Sequence, residues 1–231
     1  MNPTAIAPDA LGAALDADGV AVLPRLLSVT ECAAAAALWE RPETFRKAIV
    51  MQSHGYGSGE YRYFTYPLPA PIAALRAALY PPLAAIAARW EAAFGQATRY
   101  PPDLAGYLRG CHAAGQTRPT PLLLRYGPGD YNRLHQDLYG AHVFPLQVVI
   151  LLSAPGRDFA GGEFVLTEQR ARMQSRAEVV PLGQGDAAIF PVRDRPLAGA
   201  RGVSRAAMRH GVSRIRSGSR MTLGIIFHDA A

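Results

Sequence analysis

The sequence predicts an α+β fold in which helices pack around one antiparallel β-barrel core. Three observations carry that expectation. Residues 1–120 are punctuated by caps and prolines suited to helix ends, whereas residues 121–231 break into short apolar runs separated by glycines. The run at 147–152 is continuously apolar enough for a strand buried on both faces. At 231 residues and 49% hydrophobic, the chain can bury a sizeable core. The expected organisation is a single domain over 1–231, mainly helical in 1–120, with the β-barrel core in 121–231.

The elements follow in order. Residues 9–18 form a short amphipathic stretch, and Gly19-Val20-Ala21-Val22-Leu23-Pro24 reads as a strand closed by proline. Ser28-Val29-Thr30-Glu31 has the spacing of a capping box and opens a helix over 32–39. Residues 71–80 and 82–94 read as two helices parted by Pro81-Pro82, each with proline where a first turn tolerates it. Residues 102–114 form a fourth helix. Strands at 48–52 and 60–66 flank the Gly55-Tyr56-Gly57-Ser58-Gly59 loop. After residue 121, strands are expected at 122–126, 147–152, 163–167, 177–182, 187–190 and 222–227. Their near-regular spacing suits a sandwich or small barrel.

Composition narrows the class. No apolar run approaches the roughly 20 residues that span a bilayer, so no membrane role is expected. Residues 1–10 have no basic n-region. Cys32 and Cys111 are the only cysteines and form no CxxC, which suits a reduced cytoplasmic setting with both thiols in the core. No feature specifies an oligomeric state, and a monomer suffices. Charge is uneven: residues 1–156 hold 12 basic and 11 acidic residues, residues 157–231 hold 12 and 7. Such a field would attract a polyanion such as DNA or RNA, with Arg193, Arg195, Arg201 and Arg205 as candidate contacts. The competing explanation is a chain-wide habit, since 23 of the 24 basic residues are arginine.

The chemistry concentrates in Leu134-His135-Gln136-Asp137, answered by His210 and then by Arg220 at the head of the last apolar strand. Two imidazoles and a carboxylate can hold one face of a divalent iron and leave three positions open. His135 and Asp137 stand two residues apart, and His210 must come from a strand adjacent in space. Arg220 offers a planar fork for a carboxylate. An isolated HxD is weak; the ordered set of turn, HxD, later histidine and late arginine is not. His54, His112, His142 and His228 lack a partner pattern and suit core or surface roles.

At these residues the chain resembles the Fe(II)/2-oxoglutarate-dependent dioxygenases, whose double-stranded β-helix carries HxD…H and a late arginine. The likeness covers 121–229. Arg125-Tyr126-Gly127-Pro128-Gly129 followed by Leu134-His135-Gln136-Asp137 is similar to the AlkB-type nucleic-acid dealkylases, although Leu124 stands where asparagine is usual. Gly161-Gly162-Glu163-Phe164 looks instead like a turn of prolyl-hydroxylase-type members. The resemblance implies Fe(II) on His135, Asp137 and His210, 2-oxoglutarate held by Arg220 and Tyr126, and O2 as oxidant. It implies hydroxylation of a C–H bond, with oxidative dealkylation of damaged bases foremost. Tyr61 and Tyr63 are candidates to stack a base. The alternatives are a prolyl, amino-acid side-chain or small-molecule hydroxylase, and a non-catalytic basic nucleic-acid-binding module.

Overall fold

A computed structural model describes residues 8–97, 100–199 and 202–231. Four helices are present among them: α1 (Pro8–Asp18), α2 (Val29–Ala37), α3 (Ala70–Ala93) and α4 (Leu104–Ala113). The strands before the sequence midpoint are β1 (Ala21–Leu23), β2 (Phe45–Val50), β3 (Gly57–Ser58) and β4 (Glu60–Phe64). Those that follow are β5 (Leu122–Tyr126), β6 (Tyr131–His135), β7 (Leu146–Leu151), β8 (Phe159–Gly161), β9 (Phe164–Arg170) and β10 (Arg176–Val180). The last five are β11 (Ala187–Pro191), β12 (Asp194–Gly199), β13 (Gly202–Val212), β14 (Ile215–Gly218) and β15 (Arg220–Ile226).

The strands make a seven-stranded sheet, β1-β11-β7-β15-β5-β4-β2, and a smaller one, β10-β9-β13-β6-β3, with β12 paired to β13. Every ladder between them is antiparallel. Strand periodicity divides the large sheet into two faces. Leu123, Leu223 and Ile225 join Leu79, Tyr80 and Trp90 of α3 in the main core. Leu124, Tyr126, Arg220 and Thr222 point the other way, into a cavity also lined by His135 of β6, Phe164 of β9 and His210 of β13. The helices therefore buttress the outer face, and the site lies between the sheets.

The capping box forms as expected: Ser28 accepts from the Glu31 N–H, and Glu31 accepts from the Ser28 N–H. Cys32 and Cys111 are buried free thiols. The two expected helices at 71–94 are one continuous helix, α3. Pro81 and Pro82 delete two i→i−4 donors at a cost of about 3 kcal/mol each. Leu79, Tyr80 and Leu83 are completely buried at that point, and each such burial returns about 1.5–3 kcal/mol. Packing outweighs propensity here. Taken whole, α3 is long and apolar enough by length and composition to cross a membrane, with mean hydropathy 1.3. Treating the proline pair as a break had hidden that length. In the fold it is a core helix, tied down where buried Arg76 donates to the Ile226 and Phe227 carbonyls and pairs with Asp229.

The arginine-rich segment forms the β12–β13 hairpin, which the sequence reading did not anticipate. Its register sets Asp194 opposite Ala207 and Arg195 opposite Ala206. The consequence is functional: β13 runs on to carry His210 to β6.

Candidate metal centre and its cavity

β6 ends at His135, and β13 places His210 directly opposite it. The rings lie 4.1 Å apart, centroid to centroid. Asp137 stands just beyond the strand end rather than on it, and its carboxylate reaches both: Oδ1 is 3.6 Å from His135 Nε2 and Oδ2 is 3.2 Å from His210 Nε2. One ligand atom from each of the three side chains falls within 4.8 Å of the others. The expected convergence is present.

The strand reaches this geometry through a bulge. Asn132 pairs with Val212 and His135 with His210, so three steps on β6 match two on β13. Residues 132–135 all border the cavity, with Asn132 and His135 less exposed than the two residues between them. Arg133 and Leu134 are turned out to the exposed rim. Gly211 sits opposite them, and a Cβ there would lie 2.7 Å from the Asn132 carbonyl oxygen.

The ligand set is pre-oriented. His135 Nδ1 is 2.8 Å from the Arg133 carbonyl oxygen; a carbonyl can only accept, so the proton is on Nδ1 and the Nε2 lone pair is free. Tyr139 donates to Asp137 Oδ1 at 2.6 Å, and Tyr63 donates to Tyr139 at 3.1 Å. Burial pushes the Asp137 carboxyl up, but the His210 hydrogen bond and the nearby imidazoles outweigh it and hold it well below the carboxylate range. Burial, with His135 beside it, pushes His210 down and favours its neutral form. A carboxylate at Asp137 and a neutral imidazole at His210 are protonation states that bind a divalent metal.

Arg220 is cross-strand partner to Tyr126 on the same cavity face. It is 1% exposed, its Nε and Nη1 are buried without a hydrogen-bond partner, and burial lowers its pKa to about 10. A buried, unpaired guanidinium is costly unless an anion completes it. Tyr126 presents a buried hydroxyl that no strong hydrogen bond claims, with Asn132 beside it. Gly162 has φ +67°, and a Cβ there would lie 2.9 Å from Arg220 Cδ and closer still to Ile215. The Gly161-Gly162 turn thus makes room for the guanidinium, which accounts for it without appeal to a peptide substrate.

One cavity of about 390 Å³ joins the triad, Arg220 and Tyr126 with Tyr61 and Tyr63. Tyr63 and Tyr139 meet edge to face, as do Tyr61 and Tyr63. The arginine candidates fare differently. Arg193 is exposed and pairs with Asp194, and Arg205 lies over the Phe94 ring while also reaching Asp194. Arg195 is corrected: it is fully buried, binds Glu168, and donates to the Asp16 and Ala17 carbonyls at the end of α1. It cannot touch a phosphate. Arg201 lies outside the described residues. Tyr139, Asn132 and Gln147 were missed as site residues. Gln147 had a signal, being the one polar residue inside an apolar strand.

Residues 59–230 match the model of an oxygenase family described as catalysing oxidative methylation of damaged DNA. The chain belongs to that family. A Mycobacterium tuberculosis protein of uncharacterized function, found in two strains, is 54% identical over 168 residues, 73% of this chain and 72% of that protein. Among solved structures, an oxidoreductase of the 2OG-Fe(II) oxygenase family from Burkholderia pseudomallei aligns with a TM-score of 0.58. Its identity is 17%, over 98% of this chain and 93% of its own. A Pseudomonas putida prolyl-4-hydroxylase aligns at 0.54 and 15% identity, over 97% of this chain and 100% of its own. These likenesses establish the shared double-stranded β-helix fold. Family, fold and triad together make the protein an Fe(II)- and 2-oxoglutarate-dependent oxygenase, and so an enzyme rather than a bare binding module.

Proposed function

We propose that this oxygenase removes alkyl groups from nitrogen atoms of nucleic-acid bases, with damaged DNA as its substrate. The observation that carries the reading is one cavity that combines a buried guanidinium with unpaired nitrogens, the triad and a set of tyrosines. A small dianion suits the guanidinium and a flat ring suits the tyrosines.

His135, Asp137 and His210 would hold Fe(II), and Arg220 with Tyr126 would hold the distal carboxylate of 2-oxoglutarate. The donor set fits iron, and the unpaired Arg220 atoms fit the carboxylate. Iron, cosubstrate and O2 together supply oxidation of a substrate C–H bond, with succinate and CO2 released; on an N-alkyl group the hydroxylated carbon then leaves as an aldehyde. The chain's own part is positional. Tyr139 steadies Asp137, and Arg133 fixes the His135 ring through its carbonyl. Tyr61 and Tyr63 offer aromatic surface to a base. The family description supports the DNA substrate.

The test is to supply iron, ascorbate, 2-oxoglutarate and air with either N-methylated single-stranded oligonucleotides or a peptide library. Mass spectrometry should find unmodified base and formaldehyde in step with succinate. Succinate that rises with peptides and not with oligonucleotides would overturn the reading.

A further inference from the structure

Gln147 is the polar exception in β7, whose other residues are Leu146, Val148, Val149, Ile150 and Leu151. It is 2% exposed, and its Nε2 is buried with no hydrogen-bond partner among the described residues. A buried carboxamide left unsatisfied costs about 1–3 kcal/mol. Leucine at that position would pack the same wall without the cost. The group lines the catalytic cavity, so its missing partner belongs to whatever fills that cavity.

Register tells which occupant. Gln147 pairs with Phe190 on β11 and with Ile226 on β15, side by side on the cavity face. Phe190 packs against His210 with the rings tilted at 54° and their centroids 4.8 Å apart. Ile226 packs with Tyr63 and Leu122, beside Tyr61 and Tyr139. Gln147 therefore sits between the triad and the tyrosine wall. Arg220 begins the same β15 strand that carries Ile226 six residues later, a separation of roughly 20 Å at about 3.3 Å per residue. A cosubstrate gripped by Arg220 runs from that end of β15 toward the triad, and its five-carbon chain is too short to cover the whole separation. The space beside Gln147 is left to the substrate.

We infer that Gln147 reads the hydrogen-bonding edge of the substrate ring. A carboxamide carries a donor and an acceptor in one plane and so pairs with a heterocycle that presents the complementary two atoms, as purine and pyrimidine edges do. The inference rests on the proposed function and makes it more specific: the enzyme selects its ring by this edge as well as by stacking.

The experiment compares wild type with Gln147→Leu and Gln147→Glu. The substrates are single-stranded oligonucleotides with an N-methylated base, either natural or a deaza analogue lacking one ring-edge acceptor. Wild type should lose about tenfold or more in kcat/KM on the analogue, an amount worth one good hydrogen bond. Gln147→Leu should lose as much on the natural base, and nothing further on the analogue. Its Tm should equal or exceed that of wild type. Gln147→Glu, which keeps the shape and removes the donor, should behave like the leucine variant in kcat/KM even if leucine packs poorly. Unchanged kcat/KM in both variants, or a lowered Tm with undiminished discrimination between the two bases, overturns the assignment. Wild type that turns over no oligonucleotide defeats the proposed function itself and takes this inference with it.

Discussion

His135 and His210 face each other across the β6–β13 ladder with their rings 4.1 Å apart, and Asp137 bridges their Nε2 atoms from beyond the strand end. Two strand-borne imidazoles and a carboxylate just past the end of β6 need no large rearrangement to accept an ion. Iron should bind at one equivalent per chain and raise Tm, and His210→Ala should abolish both effects. Metal analysis and thermal unfolding under argon check this.

Tyr139 is expected to act through Asp137. Its hydroxyl donates to the carboxylate oxygen that also faces His135, so Tyr139→Phe leaves the ligand in place but free to rotate. Iron affinity should fall by about 10- to 100-fold, the range seen when an outer-shell partner of a metal ligand is removed. A competition titration with a chelator measures it. An unchanged affinity would remove Tyr139 from the site.

Arg220 trades stability for cosubstrate binding. Its unpaired guanidinium is buried, so Arg220→Leu should raise the Tm of the protein without 2-oxoglutarate. The same variant should bind 2-oxoglutarate about 10- to 100-fold more weakly, the loss of charge-assisted hydrogen bonds worth about 1.5–3 kcal/mol. Iron affinity measured before cosubstrate is added should be unaffected.

Arg195 gives the opposite result to a phosphate contact. It is buried against Glu168 and the end of α1, so Arg195→Ala leaves Glu168 paired with Arg170 and takes the donor from the Asp16 and Ala17 carbonyls, at a cost of about 1–3 kcal/mol. The salt dependence of oligonucleotide binding should not change. Chemical denaturation and a binding series in salt separate the two quantities.

His228 makes stability depend on pH. It is fully buried, and its Nδ1 accepts from the Phe144 N–H, which requires an unprotonated nitrogen there. Burial pushes its pKa down from the ordinary 6.5 to about 4. Protons then bind the unfolded chain more tightly than the folded one. Its contribution is fully present above pH 6.5 and is lost as pH falls through about 4, amounting to about 3 kcal/mol. His228→Gln should flatten the stability profile in that window.

Much of this site was legible in the sequence, for a physical reason. Metal ligands and a carboxylate clamp need particular residue types, and strand order constrains their spacing, so His135, Asp137, His210 and Arg220 stood out by kind, while Tyr126 came only from the family resemblance. Residues that act by placement did not. Gln147 and Tyr139 are ordinary side chains whose meaning comes from a neighbour far away in the chain. Arg195 shows the reverse: it reads as surface charge in a basic run, yet Glu168 and two carbonyls of α1 draw it inside. The same holds for the fold. Strands with continuous apolar character, such as β7, β11 and β15, were evident, whereas β12 and β13 mix arginines with small residues, lack such a run and form through pairing. Pro81-Pro82 reads locally as a break, and the buried face of α3 overrides it.

The most direct test of the central claim is a pair of titrations under argon, Fe(II) first and 2-oxoglutarate second. One iron per chain, lost in Asp137→Ala, followed by iron-dependent binding of 2-oxoglutarate that weakens in Arg220→Leu, is the expected result. Binding of 2-oxoglutarate that ignores both iron and Arg220 would contradict the account.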